Sequence, residues 1–187
     1  MPAADAPFRP LRIRAEMYQR MLEAGVFDGA PAVELLDGEL IQMSPQGTEH
    51  ATLSELLADL ARSAFGIDWV VCSDKPMFCG GYDLPEPDVF VVPGPRRRYL
   101  TRHPRANESV LVVEVAKTSQ AVDQAKAAVY AAAGAPVYWM LDLLGRTLTV
   151  LENPAEGRYG SIRILDESES ATFPGTVVTV PFRDLLP

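Results

Sequence analysis

Acidic residues interrupt three segments that are otherwise apolar. Asp88 follows Pro87 at the head of Val89-Phe90-Val91-Val92, Glu114 sits within Val112-Val113-Glu114-Val115-Ala116, and Glu34 lies in Val33-Glu34-Leu35-Leu36. An ionised carboxylate inside a buried strand costs several kcal/mol unless it is paired or coordinated. Such acids become tolerable together if they converge on one cation, and carboxylate oxygens with open positions for water suit a hard ion, Mg²⁺ or Mn²⁺. Each acid also has an ordinary reading: Asp88 as a Pro-Asp turn, Glu34 on a solvated hairpin face, Glu114 in a structural ion pair with an arginine. Taken together they favour a metal site.

All but three of the 17 basic residues are arginines, the exceptions being Lys75, Lys117 and Lys126. Lys126 borders the apolar stripe Val122, Ala125, Val129, Ala132 of a helix that packs on the sheet, so its ammonium can reach the site or a developing oxyanion. Asp123 and Tyr130, at i−3 and i+4, are placed to orient it. The alternative is an exposed lysine paired with Asp123. Strand alternation puts Lys117 on the face opposite Glu114. The stretch 96–105 carries Arg96, Arg97, Arg98, Arg102 and Arg105, with His103 and no acid, and joins the strand of Asp88 to that of Glu114. Beside a carboxylate–metal site such a loop suits a polyanion held next to phosphoryl chemistry; by itself it is a solvated loop.

The elements that must position these residues can be read from periodicity. Residues 14–24 predict a helix with Met17, Met21 and Leu22 on one side and Gly25 as its stop. Asp37-Gly38 between apolar runs predicts a two-residue hairpin, pairing Leu36 with Glu39, Leu35 with Leu40 and Glu34 with Ile41. A helix spans 48–65, with Thr48 as cap and Leu53, Leu56, Leu57, Leu60 and Ala64 as its apolar face. Strands follow at 67–73, 87–92 and 109–116, with a local one at 75–79. A helix covers 119–133, and strands 137–143, 147–151, 161–165 and 176–180 complete the chain. This order predicts an α+β fold with α/β character: a mixed central β-sheet flanked by helices, with 89–92 and 110–113 covered on both faces. Residues 1–13 read as a loose arm and 14–187 as a single domain.

Composition sets the limits. Twenty-five acidic against 17 basic residues give a net charge of -8, which excludes a protein that coats nucleic acid or an anionic membrane through its average field, though not a local basic site. Hydrophobic residues at 48% and charged residues at 22% are ordinary globular values and exclude wholesale disorder. Cys72 and Cys79 have no C-x-x-C spacing, and with His50 and His103 as the only histidines they read as reduced thiols rather than a zinc site. No run approaches the ~18–20 apolar residues of a membrane helix. The first residues lack a basic stretch followed by an apolar one. The expectation is cytoplasmic.

Several motifs in order carry a family resemblance: E-L-L-D-G-E-L at 34–40, S-P at 44–45, His50, P-D at 87–88, V-E-V at 113–115, D-x-x-K-x-x-x-Y at 123–130, A-G-A-P-V-Y-W-M-L-D at 133–142 and F-P-G at 173–175. The chain, from about residue 16 onward, resembles the Uma-two family of the PD-(D/E)XK nuclease-like superfamily. That resemblance implies a restriction-endonuclease-like core of helix, three strands, helix and strand, the order read independently over 48–143. It also implies a Mg²⁺-dependent phosphodiesterase site, with Asp88, Glu114 and the Val115 carbonyl as metal ligands and Glu34 as an additional acid. The superfamily pattern places a lysine two residues after the glutamate, where this chain has Ala116. In this family the lysine is displaced to the helix, which selects Lys126, and Lys117 is a departure that leaves a second candidate. The implied function is a DNA endonuclease with weak or conditional binding, acting as a homodimer by analogy. The alternatives are a nuclease-like module that binds nucleic acid or a partner without hydrolysis, and a metal enzyme acting on another phosphate ester.

Overall fold

The computed structural model of the protein describes residues 10–116 and 120–187. Lys117, most of the expected N-terminal arm and the side chain of Asp123 lie outside the described residues. In chain order the elements are α1 (Ala15–Glu23), β1 (Val33–Leu36), β2 (Glu39–Gln42), α2 (Thr48–Phe65), β3 (Trp69–Ser73), β4 (Val89–Pro93), β5 (Leu111–Ala116), α3 (Gln120–Ala132), β6 (Val137–Asp142), β7 (Thr147–Ala155), β8 (Arg158–Leu165), β9 (Ser170–Thr172) and β10 (Thr179–Pro181). Strands β3-β4-β5-β6-β7-β8 form one mixed sheet in that order, while β1–β2 and β9–β10 are separate ribbons. Within the main sheet β5 and β6 are parallel and the remaining pairs antiparallel. The parallel pair needs a crossover, and α3 supplies it. The fold is α+β, as expected.

A helix covers each face. Leu53, Leu57, Ala58 and Ala61 of α2 pack on Val71, Val91, Val113 and Trp139. Tyr130 and Ala131 of α3 pack on Phe90, Val92, Val112 and Tyr138. All six residues of β5 are buried, which accounts for its continuous apolar run. Asp37 and Gly38 both have positive φ, 50° and 75°, the conformation of a type I′ turn, and the β1–β2 register is the expected one, Glu34 opposite Ile41.

The structure corrects the reading elsewhere. The buried side of α1 is Ala15 and Tyr18, while Met17 and Leu22 are exposed. A polar tie selects that side, because the Tyr18 hydroxyl donates to the Val33 carbonyl at 2.6 Å. Gly47, not Thr48, is the N-cap of α2. Leu56 is exposed, whereas Ala58 and Ala61 are buried, small side chains being those that admit a close approach of helix to sheet. Residues 75–79 form only an isolated bridge from Phe78 to Arg105. At the C-terminal end β8 joins the main sheet, and the pairing partner of β10 is β9, which periodicity over three residues is too short to reveal. Among the described residues no helix is long and apolar enough to cross a membrane.

Candidate active site

The antiparallel register of β4 and β5 pairs Val89 with Val113 and Phe90 with Val112. One further step places Asp88 across from Glu114, on the sheet face that α3 covers. Glu34 arrives at the same place from β1 and Lys126 from α3. These four polar residues are 4% (Glu34), 6% (Asp88), 4% (Glu114) and 1% (Lys126) exposed. Lys126 Nζ donates to Glu34 Oε1 at 3.2 Å and to Glu114 Oε1 at 3.0 Å. Tyr130, one turn on from Lys126, donates its hydroxyl to Glu114 Oε1 at 2.6 Å. Tyr130 thus orients Glu114, the lysine's partner, and not the lysine itself. Asp88 Oδ2 accepts the Val115 N–H at 2.7 Å and lies 3.1 Å from His50 Nε2. A cavity of about 960 Å³ opens here, lined by Glu34, His50, Glu86, Asp88, Glu114 and Lys126 among others.

Two elements far apart in sequence hold the acids in place. The Leu35 carbonyl accepts the Leu84 N–H at 2.9 Å, and the Gly38 N–H donates to the Tyr82 carbonyl at 2.8 Å. The 82–87 segment therefore both anchors the hairpin carrying Glu34 and leads into Asp88. Burial raises the Glu34 carboxyl, with the Lys126 ammonium opposing the rise. Burial alone would lower Lys126, yet Glu114 and Glu34 hold its ammonium above the ordinary lysine value. Tyr130 is raised by burial and by Glu114.

His50 and Glu86 are the site residues that the sequence reading did not assign. In the sequence His50 stands among the family motifs, three residues before Leu53 of the helix face, and Glu86 is marked only by its place two residues before Asp88. Glu86 is pushed up to about 7, by burial first and then by the carboxylates of Glu34 and Asp74. The unfolded chain releases this proton at a lower pH than the folded chain does, so this group's contribution to stability falls as pH rises from about 4.5 to about 7. Thermal melts of metal-free protein across that window are expected to show Glu86→Gln flattening the fall and melting above wild type at pH beyond 7.

Residues 15–181 match the model of the Uma2 family, described as "Putative restriction endonuclease". The chain belongs to the Uma2 family. A solved structure from Anabaena variabilis, titled a "putative nuclease belonging to DUF820", has a similar fold: TM-score 0.67 at 18% identity, covering 83% of this chain and 89% of that one. No curated protein matches the chain. Membership of Uma2 supports a nuclease function, and the neighbour supports the nuclease-like fold.

For an Uma2 chain the implied group is a divalent cation, and the donor chemistry fits one. Glu34, Asp88 and Glu114 supply only hard oxygens, and among the described residues Lys126 is the ammonium that bridges two of them. Glu34 Oε2 is buried without a hydrogen bond; Nζ lies 2.9 Å from it, outside hydrogen-bond geometry. Among the described residues no three acid, histidine or cysteine side chains are close enough to share one ion. Glu34 is engaged by Lys126 instead. The chemistry fits a site of two carboxylates, Asp88 and Glu114, with a main-chain oxygen and waters, an arrangement usual for Mg²⁺.

The arginine stretch lies elsewhere. Asp88 precedes β4 and Glu114 is near the end of β5, whereas 96–105 joins the end of β4 to the start of β5. Five strand residues, about 17 Å at ~3.3 Å each, separate the two ends. None of these arginines lines the cavity. Arg102 donates two hydrogen bonds to Glu108, one to each oxygen at 2.7 Å, and Arg98 donates to the same carboxylate at 3.2 Å. Arg96 donates to the Val71 carbonyl at 3.3 Å, and the Arg105 guanidinium lies 5.5 Å from the centre of the Phe78 ring. Arg97 is exposed. The loop's charge is thus partly neutralised by an acid just beyond the basic run.

Proposed function

We propose that the protein is a Mg²⁺- or Mn²⁺-dependent endonuclease that hydrolyses DNA phosphodiester bonds. The observation that supports it most is the convergence of Lys126, Glu34, Glu114 and Asp88 in one cavity, from α3, β1, β5 and the segment leading into β4. Asp88, Glu114 and the Val115 carbonyl would hold the cation. When bound, it supplies charge neutralisation on the scissile phosphate and a water acidified towards neutrality.

The chain's own residues prepare the rest. The Val115 N–H and His50 fix Asp88 through Oδ2. Tyr130 and Lys126 fix Glu114 through Oε1. Lys126 keeps its proton at working pH, because two carboxylates flank it. It therefore serves as a fixed positive charge for the negative charge that develops on the phosphate oxygens, rather than as a base. Glu34 holds that ammonium in position. The arginines at 96, 97, 98, 102 and 105 would contact phosphates away from the cleavage point, giving affinity rather than sequence choice.

Supercoiled plasmid tests the reading. Wild-type protein is expected to nick it with Mg²⁺ or Mn²⁺ and not with a chelator. Salt-sensitive binding with no nicking under any divalent ion would favour the non-hydrolysing module, and cleavage of small phosphodiesters without DNA binding the third alternative. The pairing of Glu108 carries its own expectation. Glu108→Gln releases Arg98 and Arg102, so duplex affinity measured by anisotropy should rise several-fold. Its log–log salt slope should steepen by up to about two.

A further inference from the structure

The two edges of the main sheet are treated differently. At β3 the Arg96 guanidinium donates to the Val71 carbonyl, so a side chain engages part of that strand's main chain. The other edge is β8, and among the described residues no strand pairs with its outer side. An edge of this length is a template for another strand unless proline, lysine or a covering element protects it. β8 reads Arg-Tyr-Gly-Ser-Ile-Arg-Ile-Leu, with no proline and no lysine. Its Ile162 and Ile164 are 64% and 62% exposed and, two residues apart, share one face.

We propose that β8 is the interface of a homodimer, in which two copies pair their β8 strands antiparallel about a two-fold axis at Ile162. The side chains select that register. With Ile162 opposite its own copy, Ile164 stands opposite Gly160, where the missing side chain leaves room for it. Arg158 stands opposite Asp166, an ion pair that the symmetry makes twice. Shifting the axis to Arg163 sets two guanidiniums against each other. Shifting it to Ser161 puts Arg158 opposite Ile164 and Glu156 opposite Asp166. Opposite charges and aliphatic pairs across strands stabilise, and like charges destabilise. The contact is isologous and closes at two copies.

An antiparallel join of this kind has its two-fold axis perpendicular to the sheet, so the face carrying α3 continues from one copy to the other. Glu114 on β5 and the partner's Glu114 are then seven strand spacings apart, about 34 Å at ~4.8 Å each. That is close to one turn of duplex DNA, about ten base pairs. The spacing matters only if the nuclease reading holds, whereas the dimer stands on β8 alone.

Sedimentation equilibrium of the full chain separates the outcomes. Wild type is expected to be a dimer at micromolar concentration. Arg158→Asp should weaken association about tenfold, and Arg158→Asp combined with Asp166→Arg should restore it. Ile162→Lys should give a monomer with an unchanged circular dichroism spectrum. A wild-type monomer across the concentration range, or a dimer that the reversal and Ile162→Lys both leave intact, overturns the proposal. Plasmid nicking plays no part in this measurement, so a failed dimer and a failed nuclease reading remain distinguishable.

Discussion

Lys126→Ala is expected to lower stability by about 3–5 kcal/mol, because it removes the ammonium that Glu34 and Glu114 share in a buried site. At this chain length that is a fall in melting temperature on the order of 10 °C. The variant should also respond to pH in a distinctive way. Deprived of the ammonium that opposes burial, the Glu34 carboxyl rises further and binds a proton in the folded state that the unfolded chain releases. The variant is therefore expected to regain stability as pH falls towards 5, and to lose it as pH rises through the raised value. Melts of Lys126→Ala alongside a triple variant that adds Glu34→Gln and Glu114→Gln check the cause. The triple variant should recover much of the loss and show the flatter pH profile. If Lys126→Ala melts like wild type, the lysine is not holding the two acids.

Asp88→Asn is expected to do the opposite: stability held, and metal-dependent nicking reduced about 10³-fold. Asparagine keeps an oxygen that can accept the Val115 N–H, so the local structure survives. What it removes is a buried negative charge that a bound cation requires, while the main-chain hydrogen bond of the metal-free fold is kept. Parallel melts and nicking assays on the same preparation decide it. Loss of both together would assign Asp88 a structural role, and retained nicking would remove it from the mechanism.

The site was legible where chemistry contradicts its surroundings. Glu34, Asp88 and Glu114 stand out because each breaks an apolar run, and Lys126 because it is one of three lysines and borders a packed helix face. The structure brings all four together, and the hairpin register that aims Glu34 followed from Asp37-Gly38 alone. The arginine stretch was misplaced, since its position depends on which end of β4 and β5 it joins, and proximity in sequence does not carry that information. Its neutralisation was also hidden, because Glu108 lies three residues past the basic run. His50 and Glu86 belong to the cavity through tertiary contacts, a helix stripe on one side and an irregular segment on the other. In α1 the apolar residues Met17 and Leu22 read as the core face, but one hydroxyl bond from Tyr18 to Val33 turns the helix to its other side.

The central claim is that Asp88 and Glu114 bind a catalytic cation while Lys126 remains with Glu34. Anomalous diffraction from crystals soaked in Mn²⁺ measures this directly. The expected result is a peak within coordination distance of Asp88 and Glu114, with Lys126 Nζ still on Glu34. A peak bound elsewhere, or saturating Mn²⁺ with none between these two carboxylates, would contradict it.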